Sequence, residues 1–399
     1  MPWLRSLIAD ERSWRRAVLA IAVLALLVRL AIAAITGGGN DLKIYYSFAS
    51  LVTDGMNPYH PPPGFPFPER LADNLPAEFL LFAGLLEIDH SKYALRALFA
   101  LADAGTILLI GLKYPRPIAW RAGVVVFYAF SPLVLGSWTA TSEDKTLLFL
   151  LFAALFLSLE TGRVVGGWAA ATAMGVLKGV SIVFVPFLAW ETWRERGLRA
   201  AAACVGGFTA LMVLGHLPWY PDAFEVYSRR NGHIEFREPG HAAPTQFLDR
   251  IGLYDPAIVK YGVPLLLVAT FAAYVWRRIG VVEGIALAQL VTLILQPDHS
   301  YTRALLAALP FLFVIRLDTR RWMLLWVVSA IGAAGIYLQQ ERGQLGGYGS
   351  LQHVVASNLF LVLVLALYAR DKLAAGVSGG RAADAPSSTG APSYSRGSA

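Results

Sequence analysis

Long apolar stretches separated by short, arginine-bearing joints run through most of the chain. Hydropathy places apolar segments at 17–36, 91–112, 120–136, 146–160, 164–177, 179–193, 199–216, 260–276, 280–296, 302–316, 322–338 and 353–369. The first has about 20 residues, enough to cross a hydrocarbon core about 30 Å thick. No small-residue cleavage site follows it before Asp41, so it reads as a retained span rather than a signal peptide. Several others are shorter than a straight crossing, and the pair around Lys178 reads as half-penetrating or steeply tilted. The expected fold is an all-α polytopic membrane protein of about twelve transmembrane or half-penetrating helices. It occupies residues 1–372, and interfacial helices are expected in its first outer loop. From 373 to 399 the chain turns to Gly, Ser, Ala and Pro, a tail with too little apolar surface to order itself.

A second periodicity lies just after the first span. In 41–54 the apolar residues Ile44, Tyr45, Phe48, Leu51 and Val52 make one helical stripe, with Lys43, Ser47, Ser50 and Asp54 largely opposite. Gly55 stands where a helix C-terminus favours glycine. Such a helix lies in the interface plane and holds Asp41 at headgroup depth. Further on, Asn57-Pro58-Tyr59-His60-Pro61-Pro62-Pro63 and Asn74-Leu75-Pro76-Ala77-Glu78-Phe79 read as shaped loops rather than helices.

Composition agrees with this pattern. Charged residues make up 15% of the 399, against about 25% in a soluble domain, and mean hydropathy is +0.53. The net charge of +7 is a topology signal more than a nucleic-acid signal, because arginines sit at span ends rather than in one patch. With the N-terminus inside, eighteen of the 34 basic residues fall in short inner segments. Both termini are then cytoplasmic, and the long loops 37–90 and 217–259 lie outside. Trp138, Trp219, Tyr220, Tyr254, Tyr261, Tyr301 and Tyr337 gather at the outer ends, as interfacial aromatics do. The single cysteine, Cys204, excludes an intramolecular disulfide.

Candidate chemistry collects on the same outer side. Asp41 is a carboxylate at a bilayer surface, which suggests work on a lipid-borne substrate; the alternative is that it only supports a helix N-terminus. His60 and Glu78 read more readily as loop decoration than as sugar contacts. In Ser142-Glu143-Asp144-Lys145, Ser142 is suited to cap the following span and the two acids to its positive end. Asp103 lies inside the second span, where a carboxylate is expensive; the favoured reading is structural, bound through Thr106 or a Trp N–H. Lys178 stands between two apolar runs with no acid nearby in sequence, and a lipid phosphate is its natural partner. Asp298, His299, Tyr301 and Arg303 share a polar loop fit to bind phosphate or hydroxyls. No His and carboxylate cluster at helical spacing implies a metal.

These residues resemble the integral-membrane glycosyltransferases of the GT-C superfamily, and within it the polyprenyl-phosphate-mannose-dependent mannosyltransferases. The likeness covers roughly residues 15–370. It rests on Asp41 after span one, Asp54-Gly55-Met56-Asn57-Pro58-Tyr59, Asp103 in span two and Ser131-Pro132 before Ser142-Glu143-Asp144. Lys178 with Pro186 and the Pro297-to-Tyr301 turn complete it. The chain departs from the family in having Asn74-Leu75-Pro76-Ala77-Glu78 where an aromatic-Pro-Pro stretch is frequent, and in lacking a tandem Asp-x-Asp after span one.

The resemblance implies transfer of a sugar, mannose in the first instance, from a polyprenyl-phosphate donor to a lipid or glycan acceptor on the outer face, without cofactor or metal. Asp41 is then the base. Lys178 and Arg303 hold the donor phosphate, and Glu143, Asp144, His299, Tyr301, Glu78 and His60 contact sugar or acceptor. Two other classes stay open: a secondary transporter or lipid flippase, with charges lining a midplane path, and a noncatalytic subunit that keeps the fold without the chemistry.

Overall fold

The computed structural model describes residues 10–67, 75–225, 245, 248–249, 251–295, 300–342 and 351–383. Among these residues the chain is helical, with no strand. Each of the twelve expected apolar segments falls on helix, but among the described residues six helices are long and apolar enough to cross a membrane. These are Glu11–Ile35, Lys92–Lys113, Ile118–Thr139, Leu198–His216, Thr319–Leu338 and Gln352–Ala374. Shorter apolar helices, including Val164–Lys178, Val281–Ile294 and Tyr301–Phe313, make up the rest. At a rise of about 1.5 Å per residue, the 15 residues of Val164–Lys178 fall short of a full crossing.

Helix α1 (Glu11–Ile35) shows how sequence produces this packing. Asp10 caps it, its carboxylate accepting from the Arg12 and Ser13 amides at 2.8 and 2.9 Å. One face carries Trp14, Val18, Ala22, Ala25, Arg29 and Ala33, all buried. Leu19, Val23, Leu24 and Leu27 stay exposed on the other, which suits contact with lipid. The small residues let α1 approach α4 (Lys92–Lys113): Trp14 Nε1 donates to the Gly111 carbonyl at 2.8 Å. A Cβ on Gly111 would meet Val18 Cγ1 at 2.6 Å, so glycine sets that distance.

The same two helices are tied by charge at depth. Arg29 Nε donates to Asp103 Oδ2 at 2.5 Å, and both side chains are sealed. The remaining guanidinium nitrogens reach the Tyr128 and Ala129 carbonyls of α5 (Ile118–Phe130), and the Tyr128 hydroxyl donates to Asp103. Asp103 is bound as the structural reading expects, but its partners are an arginine and a tyrosine. Thr106 instead bonds the Ala102 carbonyl.

Between the first two spans lie α2 (Asn40–Thr53) and α3 (Pro76–Leu86). The expected stripe of α2 is real, with Ile44, Tyr45, Phe48 and Leu51 buried. It packs on protein: Tyr45 meets Phe82 and Phe99, and Phe48 meets Phe79. The segment around Pro76 corrects an expectation. It begins a helix, because proline at the first helical position lacks only an N–H that has no partner there anyway. Trp138 is a second correction, being fully buried rather than interfacial, whereas Tyr220, Tyr261 and Tyr337 are exposed.

The interior is aromatic. Helix α6 (Lys145–Glu160) is sealed by Phe149, Phe152 and Phe156. Phe152 packs on Phe184, and Phe156 on Phe313. Helix α7 (Val164–Lys178) runs antiparallel to it and stops at Gly179, whose φ of +70° is the left-handed conformation glycine tolerates. Helices α8 (Val185–Arg196) and α9 (Leu198–His216) follow. After them come α10 (Val263–Val275), α11 (Val281–Ile294), α12 (Tyr301–Ala308), α13 (Thr319–Arg342) and α14 (Leu351–Ala383). The last helix runs eleven residues, 373–383, into the segment expected to be a disordered tail; 384–399 lie outside the described residues.

Candidate functional site

The ends of α1, α2, α3, α6 and α7 meet at one end of the bundle, and a polar lock fixes them. The Arg96 guanidinium on α4 reaches the Ala33 and Thr36 carbonyls at the end of α1, and the Thr36 hydroxyl at 2.6 Å. Thr36 Oγ1 also donates to the Ala140 carbonyl at 3.3 Å. The Gly39 amide donates to the Thr141 carbonyl at 2.7 Å; a Cβ there would lie 3.1 Å from that oxygen, so glycine lets the two backbones come this close without displacement. The linker between α1 and α2 is thereby pinned to the turn that precedes α6.

That turn is itself irregular. The third span ends in a π-helical turn, Leu135–Thr139, and Ser142 follows at φ +62°. Such widened turns recur at functional sites because they re-aim side chains. Ser142 does not cap α6 as expected: its hydroxyl donates back to the Thr139 carbonyl at 3.4 Å. Glu143 and Asp144 are turned toward lysines.

The result is a chain of alternating charge. Lys145 Nζ lies 2.6 Å from Glu143, 2.8 Å from Asp144 and 3.3 Å from Asp41. Asp144 reaches a second ammonium, Lys178 Nζ, at 3.0 Å, and Lys178 lies 3.2 Å from Glu78. The same ammonium sits over the Tyr45 ring at 5.7 Å. Tyr45 is one helical turn beyond Asp41, so α2 presents both to the cluster. Asp41 is the open member, with 36% of its side chain accessible, against 2% for Glu78 and Asp144 and 5% for Glu143.

Burial and pairing divide the four carboxyls into two kinds. Burial pushes Glu78 well above the usual carboxylate range, and Glu143 up to about 8. Burial works the same way on Asp144, but the Lys145 and Lys178 ammoniums outweigh it and hold Asp144 well below that range. For Asp41, too, burial is outweighed, here chiefly by Lys145, and its carboxyl stays low. Burial would strip Lys145 of its proton, yet the surrounding carboxylates hold its pKa well above the usual value. The environment therefore biases Asp41 and Asp144 toward the ionised form and Glu78 and Glu143 toward the protonated form. Opposite environments applied to like groups are the arrangement that separates acid from base roles.

Several expectations change at this point. Lys178 has acids beside it after all, because α3 and the turn before α6 converge on the end of α7. Glu78, Glu143 and Asp144, expected to touch sugar or acceptor, are buried behind the lysines. His60 lies apart, exposed, with Nε2 3.2 Å from Asp222, which also accepts from Asn57 at 2.8 Å. Tyr301 and Arg303 begin α12 at this end of the bundle, where Trp138 Nε1 donates to the Thr302 carbonyl at 3.2 Å. Asp298 and His299 lie outside the described residues. Among the described residues, no three His, Cys, Asp or Glu side chains are placed to hold a metal ion.

The residues that sequence reasoning missed are Lys145, Tyr45, Arg29 and Arg96. Lys145 follows Glu143-Asp144 directly, and Arg29 interrupts an apolar run, so both left a readable mark. Arg96 left none, since it resembles any basic residue near a helix start. Neither a protein-family model nor a curated protein sequence matches the chain.

Proposed function

We propose that the chain is a membrane glycosyltransferase that moves a sugar from a polyprenyl-phosphate donor to a lipid or glycan hydroxyl, with Asp41 as the base. The observation that carries this reading is the placement of Asp41. It is the one open carboxylate of a buried acid-base cluster, held ionised by Lys145 at 3.3 Å. An ionised carboxylate at a surface that accepts a hydrogen bond from an alcohol is the minimum a displacement at an anomeric carbon needs.

The atoms balance without an external acid. The acceptor oxygen forms the new bond to the anomeric carbon while its proton passes to an Asp41 carboxylate oxygen. The bond from that carbon to the phosphate oxygen breaks, and its electron pair leaves on phosphate. The transition state has the oxocarbenium character of glycoside hydrolysis, and a phosphate leaving group is stable as an anion. Arg303 remains the candidate contact for that phosphate. Lys178 takes a different part from the one the sequence suggested: it holds Asp144 and Glu78 together, and Asp144 in turn orients Lys145 against Asp41.

A transport path is the less supported class. The charges within the first two long apolar helices, Arg29 and Asp103, are paired with each other and closed off, with side-chain exposures of 0% and 2%. A path needs charges that reach a water-filled lumen.

The test is transfer from radiolabelled polyprenyl-phosphate mannose, with arabinose and glucose donors alongside, in membranes holding wild-type protein or Asp41→Asn. The variant keeps size and most hydrogen bonds, so yield should hold while transfer falls by about a hundredfold or more. Near-normal turnover in Asp41→Asn removes the base assignment; no transfer from any donor by wild type removes the reaction.

A further inference from the structure

A cavity of about 320 Å³ opens at the opposite end of the bundle, between α8, the joint from α10 to α11, and α14. Its lining is charged, and most of the charge is internally matched. Arg194 Nη1 lies 3.3 Å from Glu191, which also accepts from the Tyr274 hydroxyl. Lys372 Nζ lies 2.5 Å from Glu283, which also accepts from the Tyr368 hydroxyl. Two cations are left over. Arg277 and Arg278 line the cavity, are exposed, and make no ion pair among the described residues.

The backbone adds an independent mark. Helix α10 ends with the Arg278 amide donating to the Ala273 carbonyl at 2.9 Å and the Arg277 amide to the Tyr274 carbonyl at 2.8 Å. That hydrogen-bond pair is a Schellman turn, and its left-handed residue is usually glycine. Here it is Arg277, at φ +57°. An arginine kept in a conformation that disfavours any side chain points to a use for that side chain. The turn also aims two successive guanidiniums at one basin, beside the amide end of α11 at Gly280 and Val281, where partial positive charge accumulates.

We propose that this cavity binds a phosphate-bearing anion, with Arg277 and Arg278 as its ligands. Two sources share that chemistry: the headgroup of an anionic phospholipid lying against the bundle, and a soluble phosphate ester. Guanidinium pairs suit either, because their planar forks match phosphate oxygens two at a time, and basic pockets between membrane helices hold anionic headgroups in this way. The assignment is independent of the glycosyl-transfer reading.

The experiment follows thermal unfolding of the full chain in phosphatidylcholine nanodiscs, with three probes: phosphatidylglycerol mixed into the disc, glycerol 1-phosphate in solution, and inorganic phosphate. Wild type should be stabilised by phosphatidylglycerol if the lipid is the source, or by the soluble phosphates if they are. Arg277→Gly should unfold at the same or a higher temperature without ligand, because glycine accepts the positive φ. It should bind the effective probe more weakly, by roughly fivefold. Arg278→Gln should lose affinity to a similar degree, and Arg320→Gln, an exposed arginine away from the cavity, should not. The proposal is overturned if no probe stabilises wild type, if Arg277→Gly and Arg278→Gln bind as wild type does, or if Arg320→Gln loses as much as they do.

Discussion

Glu143→Gln tests the electrostatics of the cluster more sharply than any change at Asp41. Glu143 is buried, and its carboxyl is raised from the ordinary value of 4.5 to about 8. Between those two values the unfolded chain has released its proton while the folded chain still holds it. Stability therefore falls as pH rises through this window, by about 1.4 kcal/mol per pH unit for one group, to a ceiling of about 5 kcal/mol. Glu78 is raised by burial in the same direction, so its contribution also falls as pH rises. Asp41 and Asp144 are lowered, so their contribution is lost only below about pH 4 and leaves the window clear. Wild type should then lose stability with rising pH through both glutamates, Glu143 supplying up to one proton's worth per pH unit. Glutamine keeps an oxygen to accept from Lys145 and cannot ionise, so the variant should lose the Glu143 part of that slope. Denaturant titrations in mixed micelles from about pH 5 to about pH 9 should show curves that meet at the acid end and separate with rising pH, the variant being the more stable above neutrality. Parallel curves, or a variant uniformly weaker at every pH, would mean Glu143 is not held protonated and the division of the carboxyls is wrong.

Lys178→Met leaves Asp144 with one counterion and should cost about 3–5 kcal/mol, the scale for breaking a buried pair, seen as lower extracted yield with donor and acceptor use falling together. A normal yield with selective loss of donor affinity would return Lys178 to the phosphate. Asp103→Asn should destabilise by a similar amount by stranding Arg29, and Arg29→Met combined with Asp103→Leu should recover most of it; no recovery in the pair would show that the charge itself is needed. In a Cys204→Ala background, Lys43→Cys should react with an impermeant maleimide in intact cells, and Thr319→Cys only after the membrane is opened. The opposite pattern would turn the cluster to the cytoplasmic side.

Much of the helical frame was legible because apolar period and length are properties of single segments. The α2 stripe, the break at Gly179 and the antiparallel pairs follow from residues within about one or two turns of each other. The number of full crossings was not legible. A helix such as Lys145–Glu160 is apolar all round because aromatic neighbours bury it, and hydropathy cannot tell that neighbour from lipid. The start of α3 was missed because proline breaks helices in their interior but not at their first position. At the site, sequence found Asp41, Glu143 and Asp144 as acids and Lys178 as an anomaly. What it lacked was pairing, since Lys178 and Glu78 are a hundred positions apart and only the packing of α3 against α7 makes them neighbours.

The pairing of charge in different parts of the bundle bears on the choice between the proposed enzyme and a conduit. At depth, charge is cancelled locally and shut in: Arg29 meets Asp103, the Tyr128 hydroxyl closes the carboxylate, and backbone carbonyls take the remaining guanidinium protons. Such a knot fixes α1, α4 and α5 relative to one another and gives an ion nothing to exchange with. At the Asp41 end the cancellation is graded instead. Glu78 and Asp144 are closed, Lys145 and Lys178 are nearly so, and Asp41 opens outward while still tied to Lys145. A graded chain of this kind transmits position: moving Lys178 moves Asp144, which moves Lys145 and so the aim of Asp41. It also bears on why four carboxyls can crowd one site, since burial biases Glu78 and Glu143 toward the neutral form. The closed knot at Arg29 and Asp103 and the paired chain around Asp41 both fit the proposed fixed base better than a pathway that must open.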